Sequence, residues 1–360
     1  MANLARSDSS SQASITPLVT VIMPTRNEAA YVSRSLGSVL AQDYPCDRLE
    51  ILAVDGMSTD GTRAIVETLG RSRPQASLRL IDNPRMIVPT GMNIGLGQAR
   101  GDIIVRVDGH CEIAPDYVRR CVEHLAKDGV DGVGGSVDTV GETRTAEVIA
   151  AAMSTWFGTG DSAFRTEQGK TGLADTIPFP AYTRSVIRMA GGYDEELVRC
   201  QDDEYNYRLR ELGAKILLAA DVRSKYHSRA SLRSLWNQYF QYGFWKVRVM
   251  QKHPRQMRLR QFVPPLFSLC LLLCLCLSIL FPWGWTCLAA VAGCYAVVNL
   301  AASVATASRK GWRHLPLLPA AYAILHLSYG LGFLVGLLKF WNRWGDRVGR
   351  VPRFDAPQTQ

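Results

Sequence analysis

Residues 18–24 read Leu18-Val19-Thr20-Val21-Ile22-Met23-Pro24, a β-branched and apolar run that ends at a proline. A run of this kind predicts a buried strand. Further strands and the helices between them follow at regular spacing. The predicted strands cover 49–54, 78–81 and 102–107, and the predicted helices cover about 29–42, 58–69 and 90–99. This alternation predicts an α/β fold with a parallel sheet and helices on both faces.

Polar residues directly follow several of these strands. They are Thr25-Arg26-Asn27-Glu28 after the first strand, Asp55-Gly56 after the second and Asp108-Gly109-His110 after the fourth. In such sheets, ligands bind at the carboxyl ends of the strands. Carboxylates that converge there are costly unless they meet a metal, a ligand or a basic partner. A single residue of this kind can cap the next helix, but several in succession favour a ligand site.

The composition excludes a disordered chain and a chain that is wholly embedded in a membrane, because 47% of the residues are hydrophobic and 20% are charged. Much of the formal net charge of +9 lies beside the apolar segments of the last third. The bases are Lys246, Arg248, Lys252, Arg255, Arg258 and Arg260 before these segments, and Lys339, Arg343, Arg347, Arg350 and Arg353 after them. This placement favours a membrane surface. No nucleic-acid-binding motif occurs, so we expect no nucleic acid partner.

Three apolar stretches, at 262–281, 283–308 and 315–338, contain no Lys, Arg, Asp or Glu. Each is long enough to cross a bilayer core of about 30 Å, and tryptophans stand near their ends as in an interfacial belt. We therefore predict a transmembrane region over 262–340; the alternative is a buried helical hairpin of a soluble protein. Residues 1–16 are polar and lack a signal core, so they predict a disordered leader and a soluble domain in the cytosol.

The number of membrane crossings is left open by the basic residues. The loop 309–313 and the tail 341–360 are both basic, so both favour the cytoplasm. Three full crossings from a cytosolic domain would place the tail outside. Either the rule fails here, or the third stretch is re-entrant or interfacial. The residues that could break this stretch are Pro316, Pro319, Gly330, Gly332 and Gly336.

The segment 231–261 links the two parts of the chain and predicts an amphipathic helix. One face of this helix carries Leu232, Leu235, Trp236, Tyr239 and Phe240. This face is expected either to lie on the membrane surface and close the ligand site, or to pack against the core.

Two groups of residues have side chains suited to catalysis. Asp108 and His110 can face one cation, and a carboxylate with an imidazole suits Mg²⁺ or Mn²⁺. Such a metal would bridge the two phosphates of a nucleotide. The run Gln201-Asp202-Asp203-Glu204 is followed by large apolar and aromatic residues, which predicts the start of a packed helix. A carboxylate there can take a proton from an acceptor hydroxyl, although an acidic run is also typical of a solvated face.

Four motifs, in this order, resemble glycosyltransferase family 2, which has the GT-A (Rossmann-like nucleotide-diphospho-sugar transferase) fold. They are Val21-Ile22-Met23-Pro24-Thr25-Arg26-Asn27-Glu28, Val54-Asp55-Gly56-Met57-Ser58-Thr59-Asp60-Gly61-Thr62, Val107-Asp108-Gly109-His110 and Gln201-Asp202-Asp203-Glu204. The third and fourth motifs, with the apolar C-terminal region, are similar to the succinoglycan-type exopolysaccharide glucosyltransferases. The resemblance implies a GT-A domain over 17–230, followed by transmembrane helices.

The resemblance also implies a role for each matching residue. Donor-binding roles fall on Pro24, Thr25, Arg26, Glu28, Asp55 and Asp108, metal-binding roles on Asp108 and His110, and acceptor or gating roles on Gln238, Gln241 and Trp245. Among these, Asp55 would recognise a uracil ring. Asp202 would be the catalytic base, with Asp203 as the second choice. The stretch 238–242 lacks the Arg and Trp of the Gln-x-x-Arg-Trp motif of processive enzymes, which favours transfer of a single sugar.

The expected enzyme is a metal-dependent, inverting hexosyltransferase that uses Mg²⁺ or Mn²⁺. It would move one glucose from UDP-glucose to a lipid-linked saccharide in exopolysaccharide or cell-surface polysaccharide synthesis. The alternatives are a polyprenyl-phosphate sugar synthase and a catalytically silent membrane scaffold. We expect a multi-pass protein of the inner (plasma) membrane with a cytoplasmic catalytic domain, and other polysaccharide-assembly proteins as partners.

Overall fold

The computed structural model describes residues 16–160, 164, 169–347 and 349–354. Its N-terminal part contains one mixed sheet. The strands are β1 Val19–Thr25, β2 Leu49–Asp55, β3 Ser77–Asp82, β4 Ile103–Arg106, β5 Cys111–Ile113, β6 Gly132–Val140, β7 Gly172–Leu173, β8 Ala181–Thr183 and β9 Ile216–His227. Their order is β3-β2-β1-β4-β8-β6-β9-β5, with β7 paired to β9. The predicted leader, apart from Thr16, and residues 355–360 of the predicted tail lie outside the described residues.

Strands β1 to β4 form the parallel half of the sheet that the sequence predicts. β1 pairs in parallel with β2 and β4, and β2 pairs in parallel with β3. The register aligns Thr25 with Asp55, and Asp55 with Asp82. Every residue of β1 and β2 is buried, which is why both strands are continuous apolar runs. Polar residues from neighbouring strands therefore meet at one edge of the sheet.

The other half of the sheet is mixed, a feature that the sequence did not reveal: β6 pairs in parallel with β9, whereas the other pairings are antiparallel. β8 runs antiparallel to β4 and to β6, and β5 runs antiparallel to β9. β5 and β8 have three residues each, which is too short for a recognisable alternating pattern. Because β8 lies beside β4, the acidic run that follows it returns to the parallel half.

Helices cover both faces of the sheet. They are α1 Val32–Leu40, α2 Thr62–Ser72, α3 Val88–Gln98, α4 Tyr117–Lys127, α5 Arg144–Met153, α6 Trp156–Thr159, α7 Arg184–Ala190 and α8 Gln201–Glu211. Neighbouring residues of a strand point to opposite faces, so Val21 and Ile22 of β1 belong to two separate cores. Leu36 of α1 shares the core of Val21, whereas Leu96 of α3 and Leu209 of α8 share that of Ile22.

The last third of the described chain consists of long helices. They are α9 Leu232–Lys252, α10 Val263–Leu280, α11 Trp283–Lys310 and α12 Leu318–Lys339. By length and composition, α10, α11 and α12 could each cross a membrane. α9 packs closely along α12: a Cβ placed on Gly332 would lie 2.1 Å from the Phe240 carbonyl oxygen, and one on Gly243 would lie 2.0 Å from that of Tyr329. Only glycine allows the two backbones to approach this closely.

The third apolar stretch is an unbroken helix, α12, through Gly330, Gly332 and Gly336. Breaks at these glycines, one option left open by the sequence, therefore do not occur. Their small size serves packing instead, because a Cβ on Gly330 would collide with Ser268 and with the carbonyl of Pro264. The linker helix α9 is likewise packed against protein, with Leu235, Val247 and Arg248 fully buried.

Candidate active site

A cavity of about 1250 Å³ opens at the carboxyl ends of β1 and β4. Its walls also include the segment that precedes α8, one side of α9, and parts of α10, α11 and α12. Ligands of open α/β sheets bind at this edge. The cavity therefore connects the predicted ligand site with the apolar helices.

The segment after β1 forms the first wall of the cavity. The predicted donor-binding residues that line it are Pro24, Thr25, Arg26 and Glu28. Asn27, in the same segment, has a φ of 52°, a conformation that asparagine tolerates. Its backbone N–H donates to Ser58 Oγ at 2.9 Å, and that of Glu28 donates to Thr62 Oγ1 at 2.8 Å. These two bonds fix the segment to the loop after β2.

Asp55 lies behind the cavity wall rather than at its surface. Its side chain is fully buried, and its oxygens accept hydrogen bonds from Ser58 and from Arg63 Nη1, the latter at 3.0 Å. The adjacent Gly56 does line the cavity. In this arrangement Asp55 holds the loop that forms the wall, and its predicted contact with a uracil ring stays a prediction.

Asp108 faces the cavity and is paired with a residue that the sequence interpretation missed. The buried Arg106 donates from Nε to Asp108 Oδ1 at 2.7 Å and from Nη2 to Oδ2 at 3.0 Å. Burial by itself would raise the pKa of Asp108, but the charge and hydrogen bonds of Arg106 outweigh it, so the pKa is lowered. Asp108 is therefore a carboxylate. Arg106 and Asp108 are only two positions apart in the sequence, so their pairing could have been predicted from it.

His110 connects the ends of β1 and β4. Its Nδ1 lies 2.9 Å from Glu28 Oε1, and its ring packs edge-on against Tyr226, with 5.2 Å between the ring centroids. The structure thus brings together residues of two predicted motifs: Glu28 of the first motif and Asp108 and His110 of the third all line the cavity.

Asp108 and His110 are compatible with a divalent metal. Among the described residues there is no group of three or more His, Cys, Asp and Glu side chains placed to hold an ion. Mg²⁺ at nucleotide sites needs fewer, because one or two carboxylates and the substrate phosphates complete its shell. One carboxylate and one imidazole fit that pattern, provided that Arg106 shares Asp108 with the ion.

The acidic run opens α8, as the sequence predicted, and its carboxylates differ in their partners. Asp202 lines the cavity, and its Oδ1 accepts a hydrogen bond from the backbone N–H of Asp203 at 3.0 Å. Asp203 also reaches the cavity, but Lys246 of α9 is bound to it. Burial by itself would lower the pKa of Lys246, but the charge of the nearby Asp203 outweighs the effect of burial, so the pKa is raised. Lys246 therefore keeps its charge, and Asp203 remains ion-paired to it.

Only one of the three predicted gating residues reaches the cavity. Gln238 lines the cavity and donates from Nε2 to Tyr242 Oη at 3.0 Å. Gln241 is exposed, and Trp245 donates to it from Nε1 at 3.2 Å. Neither Gln241 nor Trp245 is part of the cavity wall. On this side of the cavity, Tyr239 and Tyr242 also line the wall.

Comparison with known proteins identifies the family. Residues 20–190 match the model of the family described as glycosyl transferase family 2. The chain is 30% identical over 334 residues to the succinoglycan biosynthesis protein ExoA of Rhizobium meliloti, covering 90% of this chain and 96% of that protein. The chain belongs to glycosyltransferase family 2. The resemblance seen in the motifs is thereby confirmed.

Two further comparisons describe this family 2 glycosyltransferase. An enzyme of Methanococcus voltae, named dolichyl N-acetyl-α-D-glucosaminyl phosphate 3-β-D-2,3-diacetamido-2,3-dideoxy-β-D-glucuronosyltransferase, is 26% identical over 240 residues, covering 65% of this chain and 74% of that enzyme. A solved mannosyltransferase of Pyrobaculum calidifontis, in complex with GDP-mannose and Mn²⁺, superposes with a TM-score of 0.57 at 22% identity, over 89% of this chain and 88% of that one. The predicted GT-A fold is confirmed, and the family acts on nucleotide sugars.

The glycosyltransferase has two more cations at the cavity that the sequence interpretation missed. Arg229 follows β9 and lies near Glu28, Tyr226 and Tyr242. Burial by itself would lower the pKa of Arg229, but these neighbours outweigh the effect of burial, so the pKa is raised. Arg199 precedes α8 and contributes to the lowered pKa of Asp108. Neither residue lies in a predicted motif, and only the folded chain brings them to the cavity. Both add positive charge where a diphosphate would lie.

Proposed function

We propose that this glycosyltransferase moves one sugar, glucose from UDP-glucose, to a saccharide carried by a membrane lipid, with inversion at the anomeric carbon. The observation that carries the proposal is the position of Asp202 in one cavity that extends from the ends of β1 and β4 to the apolar helices. A donor at the strand ends and an acceptor held from the membrane side would meet at this carboxylate.

The reaction follows from the partners of each carboxylate. Asp202 takes the proton of the acceptor hydroxyl, and the oxygen attacks the anomeric carbon on the face opposite the diphosphate. The new C–O bond forms as the bond to the diphosphate breaks, and the configuration inverts. A general base contributes about 10²–10⁴-fold to such a step. Asp203 is held by Lys246, which leaves Asp202 as the preferred base.

The leaving diphosphate would be stabilised by positive charge at the strand ends. Asp108 and His110 would hold Mg²⁺ or Mn²⁺, which supplies neutralisation of the departing charge. Arg229 and Arg199 add fixed positive charge on other sides of the cavity. The role of the metal is tested with His110→Ala. The variant should need more Mn²⁺ for the same binding of UDP-glucose, and an unchanged metal titration would remove His110 from the site.

The acceptor and the biological context are supported by the relatives. One relative is named for succinoglycan biosynthesis and another for a dolichyl phosphate-linked sugar acceptor. The stretch 238–242 lacks the Arg and Trp of processive enzymes, which supports transfer of one sugar. We place the enzyme in the inner (plasma) membrane with its catalytic domain in the cytoplasm, beside other polysaccharide-assembly proteins.

The deciding experiment is product analysis with the full-length enzyme in membranes of its own cell. Labelled nucleotide sugars are added in turn with Mg²⁺ or Mn²⁺, and the lipids are extracted. A label in an extended lipid-linked oligosaccharide supports the proposal, with UDP-glucose as the expected best donor. A single sugar on a lipid phosphate would replace it with the polyprenyl-phosphate synthase, and no transfer from any donor would favour the scaffold.

A further inference from the structure

Unpaired polar atoms line the cavity from the donor end to the apolar helices. We propose, building on the proposed function, that the end of the cavity between α10 and α12 binds the phosphate of a long-chain lipid acceptor. The ligand class is an alkyl or isoprenoid phosphate or diphosphate, with its chain in the bilayer and its saccharide directed at Asp202.

The first observation is a series of enclosed polar atoms without hydrogen bonds. Thr25 Oγ1, Gln201 Oε1, Gln238 Oε1 and Tyr329 Oη make none with the described part of the chain, and all four residues line the cavity. Buried polar groups are normally paired, and an exception calls for an explanation such as a ligand. Thr25 lies at the donor end, Gln201 stands beside Asp202, and Tyr329 belongs to α12. The series therefore marks a path from the donor to the apolar helices.

The second observation is a cation where this path reaches the apolar helices. Arg260 lies directly before α10 and lines the cavity together with Tyr329. Lys246 is also present and is bound to Asp203. Guanidinium groups are the preferred partners of phosphate oxygens, because their planar fork donates parallel hydrogen bonds. The choice of Arg260 as the anion-binding side chain therefore follows from its guanidinium group and from its position directly before α10.

The part of the cavity wall that α10, α11 and α12 form is mainly apolar and aromatic. Val263 and Phe267 of α10, Tyr295 of α11 and Leu325 of α12 line it. The cavity thus combines polar groups of the catalytic domain, a guanidinium directly before α10 and a mainly apolar wall from the long helices. A lipid-linked saccharide has three matching parts: sugar, phosphate and alkyl chain. Its chain can lie between α10 and α12 while its head reaches Asp202.

The test measures binding without requiring transfer. The full-length protein in detergent is heated with a polyprenyl phosphate, with the matching uncharged polyprenol, or with inorganic phosphate. A ligand that binds the folded state raises the unfolding temperature. We expect the polyprenyl phosphate to raise it clearly more than the polyprenol or free phosphate. In Arg260→Gln this difference should disappear, and titration should show binding weakened about tenfold or more.

The exposed Arg309 at the end of α11 is the matched control, and Arg309→Gln should keep the full response. UDP-dependent stabilisation should persist in both variants, which shows that the donor site is folded. Equal responses to polyprenol and polyprenyl phosphate, or a full response of Arg260→Gln, would overturn the lipid phosphate site. Because transfer is not measured, that result would leave the proposed sugar transfer standing.

The tail and α12 carry independent information on membrane topology. We infer that the chain crosses the bilayer twice, through α10 and α11, and that α12 and the tail stay on the side of the catalytic domain. In that arrangement α12 lies between the catalytic domain and the base of the α10–α11 hairpin.

The tail returns to the catalytic domain after α12. Arg343 Nη1 lies 2.5 Å from Glu196 Oε1, and the backbone N–H of Arg350 donates to Asp194 Oδ1 at 2.8 Å. The backbone N–H of Glu195 donates to the Arg350 carbonyl at 3.0 Å. These contacts belong to the segment that leads into α8. The tail is therefore on the same side of the membrane as the active site.

The beginning of α12 contacts the catalytic domain as well. Arg313, just before α12, lies 3.0 Å from Glu147 of α5, and Tyr322 Oη lies 3.0 Å from Thr155 Oγ1. α12 has 22 residues and is therefore about 33 Å long, enough to span the hydrocarbon core. A helix that crossed this core would have its two ends on opposite sides of the membrane. Both ends of α12 instead touch one domain.

The α10–α11 hairpin has the features of a pair of crossings. Its helices are joined by Phe281 and Pro282, and many of their large apolar side chains are exposed, Leu273 and Val297 by more than half. Arg309 and Lys310 stand at the end of the hairpin that begins after Arg258 and Arg260, whereas its tip is uncharged. Bases at one end favour the cytoplasm. Two crossings therefore reconcile the basic loop 309–313 with the basic tail.

Epitope insertion into the full chain tests this topology. Tags are placed before Met1, between Pro282 and Trp283, and after Gln360, one per protein, and protease access is compared in inside-out and right-side-out vesicles. The first and last tags should share one side, and the tip tag should be on the other. A C-terminal tag opposite the N-terminal one, or a tip tag on the same side as both, would overturn two crossings.

A disulfide provides a second readout without tags. Glu195→Cys with Arg350→Cys should form a cross-link in membranes, detected as a linked peptide by mass spectrometry, because the two backbones are hydrogen-bonded. Arg347→Cys with Glu195→Cys is the comparison pair and should link less. Absence of the 195–350 link would contradict the docked tail.

Discussion

The two ends of the active-site cavity are built differently. At the donor end, Asp108 accepts hydrogen bonds from Arg106, and the His110 ring lies within hydrogen-bond distance of Glu28. At the end near the apolar helices, helices pack through glycines, and Tyr329 Oη is enclosed without a hydrogen bond to any described residue. Asp108 and His110 at the donor end thus have side-chain partners before substrate binds, whereas Tyr329 Oη at the other end has none among the described residues.

This difference assigns different tasks to the two ends. The preformed Arg106–Asp108 ion pair holds its carboxylate in place at the donor end, which favours catalysis through fixed electrostatics. An enclosed polar atom without a partner gains a hydrogen bond when a ligand arrives, which favours binding. Asp202 stands between the two ends. Variants at each place can therefore be used to separate transfer, donor-site integrity and helix packing.

The largest effect is expected at Asp202, where both ends meet. Asp202→Asn keeps the shape of the side chain and removes the base, so turnover should fall about 10²–10⁴-fold while UDP binding is unchanged. Turnover at saturating donor and calorimetric binding of UDP measure the two effects. In contrast, Asp203→Asn should mainly lower thermal stability, since buried Lys246 loses its counter-ion. A larger loss of turnover in Asp203→Asn would exchange the two roles.

Arg106→Gln is the most direct way to disrupt the ion pair at the donor end. The change removes the buried Arg106 guanidinium and leaves Asp108, which faces the cavity, without its bidentate partner, so the loss should be about 1–3 kcal/mol. Urea unfolding of the detergent-solubilised protein measures this loss. Arg71→Gln, which removes the surface pair of Arg71 and Glu67, should change stability by less than about 1 kcal/mol. Equal losses in the two variants would refute a special role of the Arg106–Asp108 pair.

Gly332→Ala disrupts the packing of α9 against α12 at the other end of the cavity. The added Cβ would meet the Phe240 carbonyl oxygen at 2.1 Å, and overpacking of this kind costs about 1–3 kcal/mol. Gly293→Ala in α11 is the control, because no atom lies within 4 Å of the added Cβ. Thermal unfolding of both variants is compared. A stable Gly332→Ala protein would show that α9 and α12 are packed less closely than described.

The smallest effect is expected on the stability at acidic pH, through Glu196, which connects the tail to α9. Burial by itself would raise the pKa of Glu196, but Arg248 and Lys252 lower it from 4.5 to about 2. The stabilisation is therefore complete above pH 4.5 and is lost as the pH falls towards 2. Glu196→Gln should flatten this part of the stability–pH curve, whereas Glu67→Gln on the surface should not. An unchanged curve for Glu196→Gln would exclude Glu196 as a source of acid sensitivity.

The sequence predicted the parts that local patterns encode. β1 to β4 and α8 were predicted because apolar runs, prolines and an acidic helix start lie within a few residues of each other. β8 was missed, since three residues carry no period. The pairing of Asp203 with Lys246 and the docking of the tail were missed because they join distant parts of the chain. Of the gating residues, only Gln238 lines the cavity; helix phase around α9 turns Gln241 away.

The docked tail has a consequence for the order of synthesis. The loop that leads to Asp202 receives its partners Lys252, Arg343 and Arg350 from segments before and after the apolar helices. Arg343 and Arg350 leave the ribosome only after the α10–α11 hairpin has been made. The contacts that hold the loop beside the catalytic base therefore form last. A nascent chain can complete its active site only after its apolar helices have been synthesised.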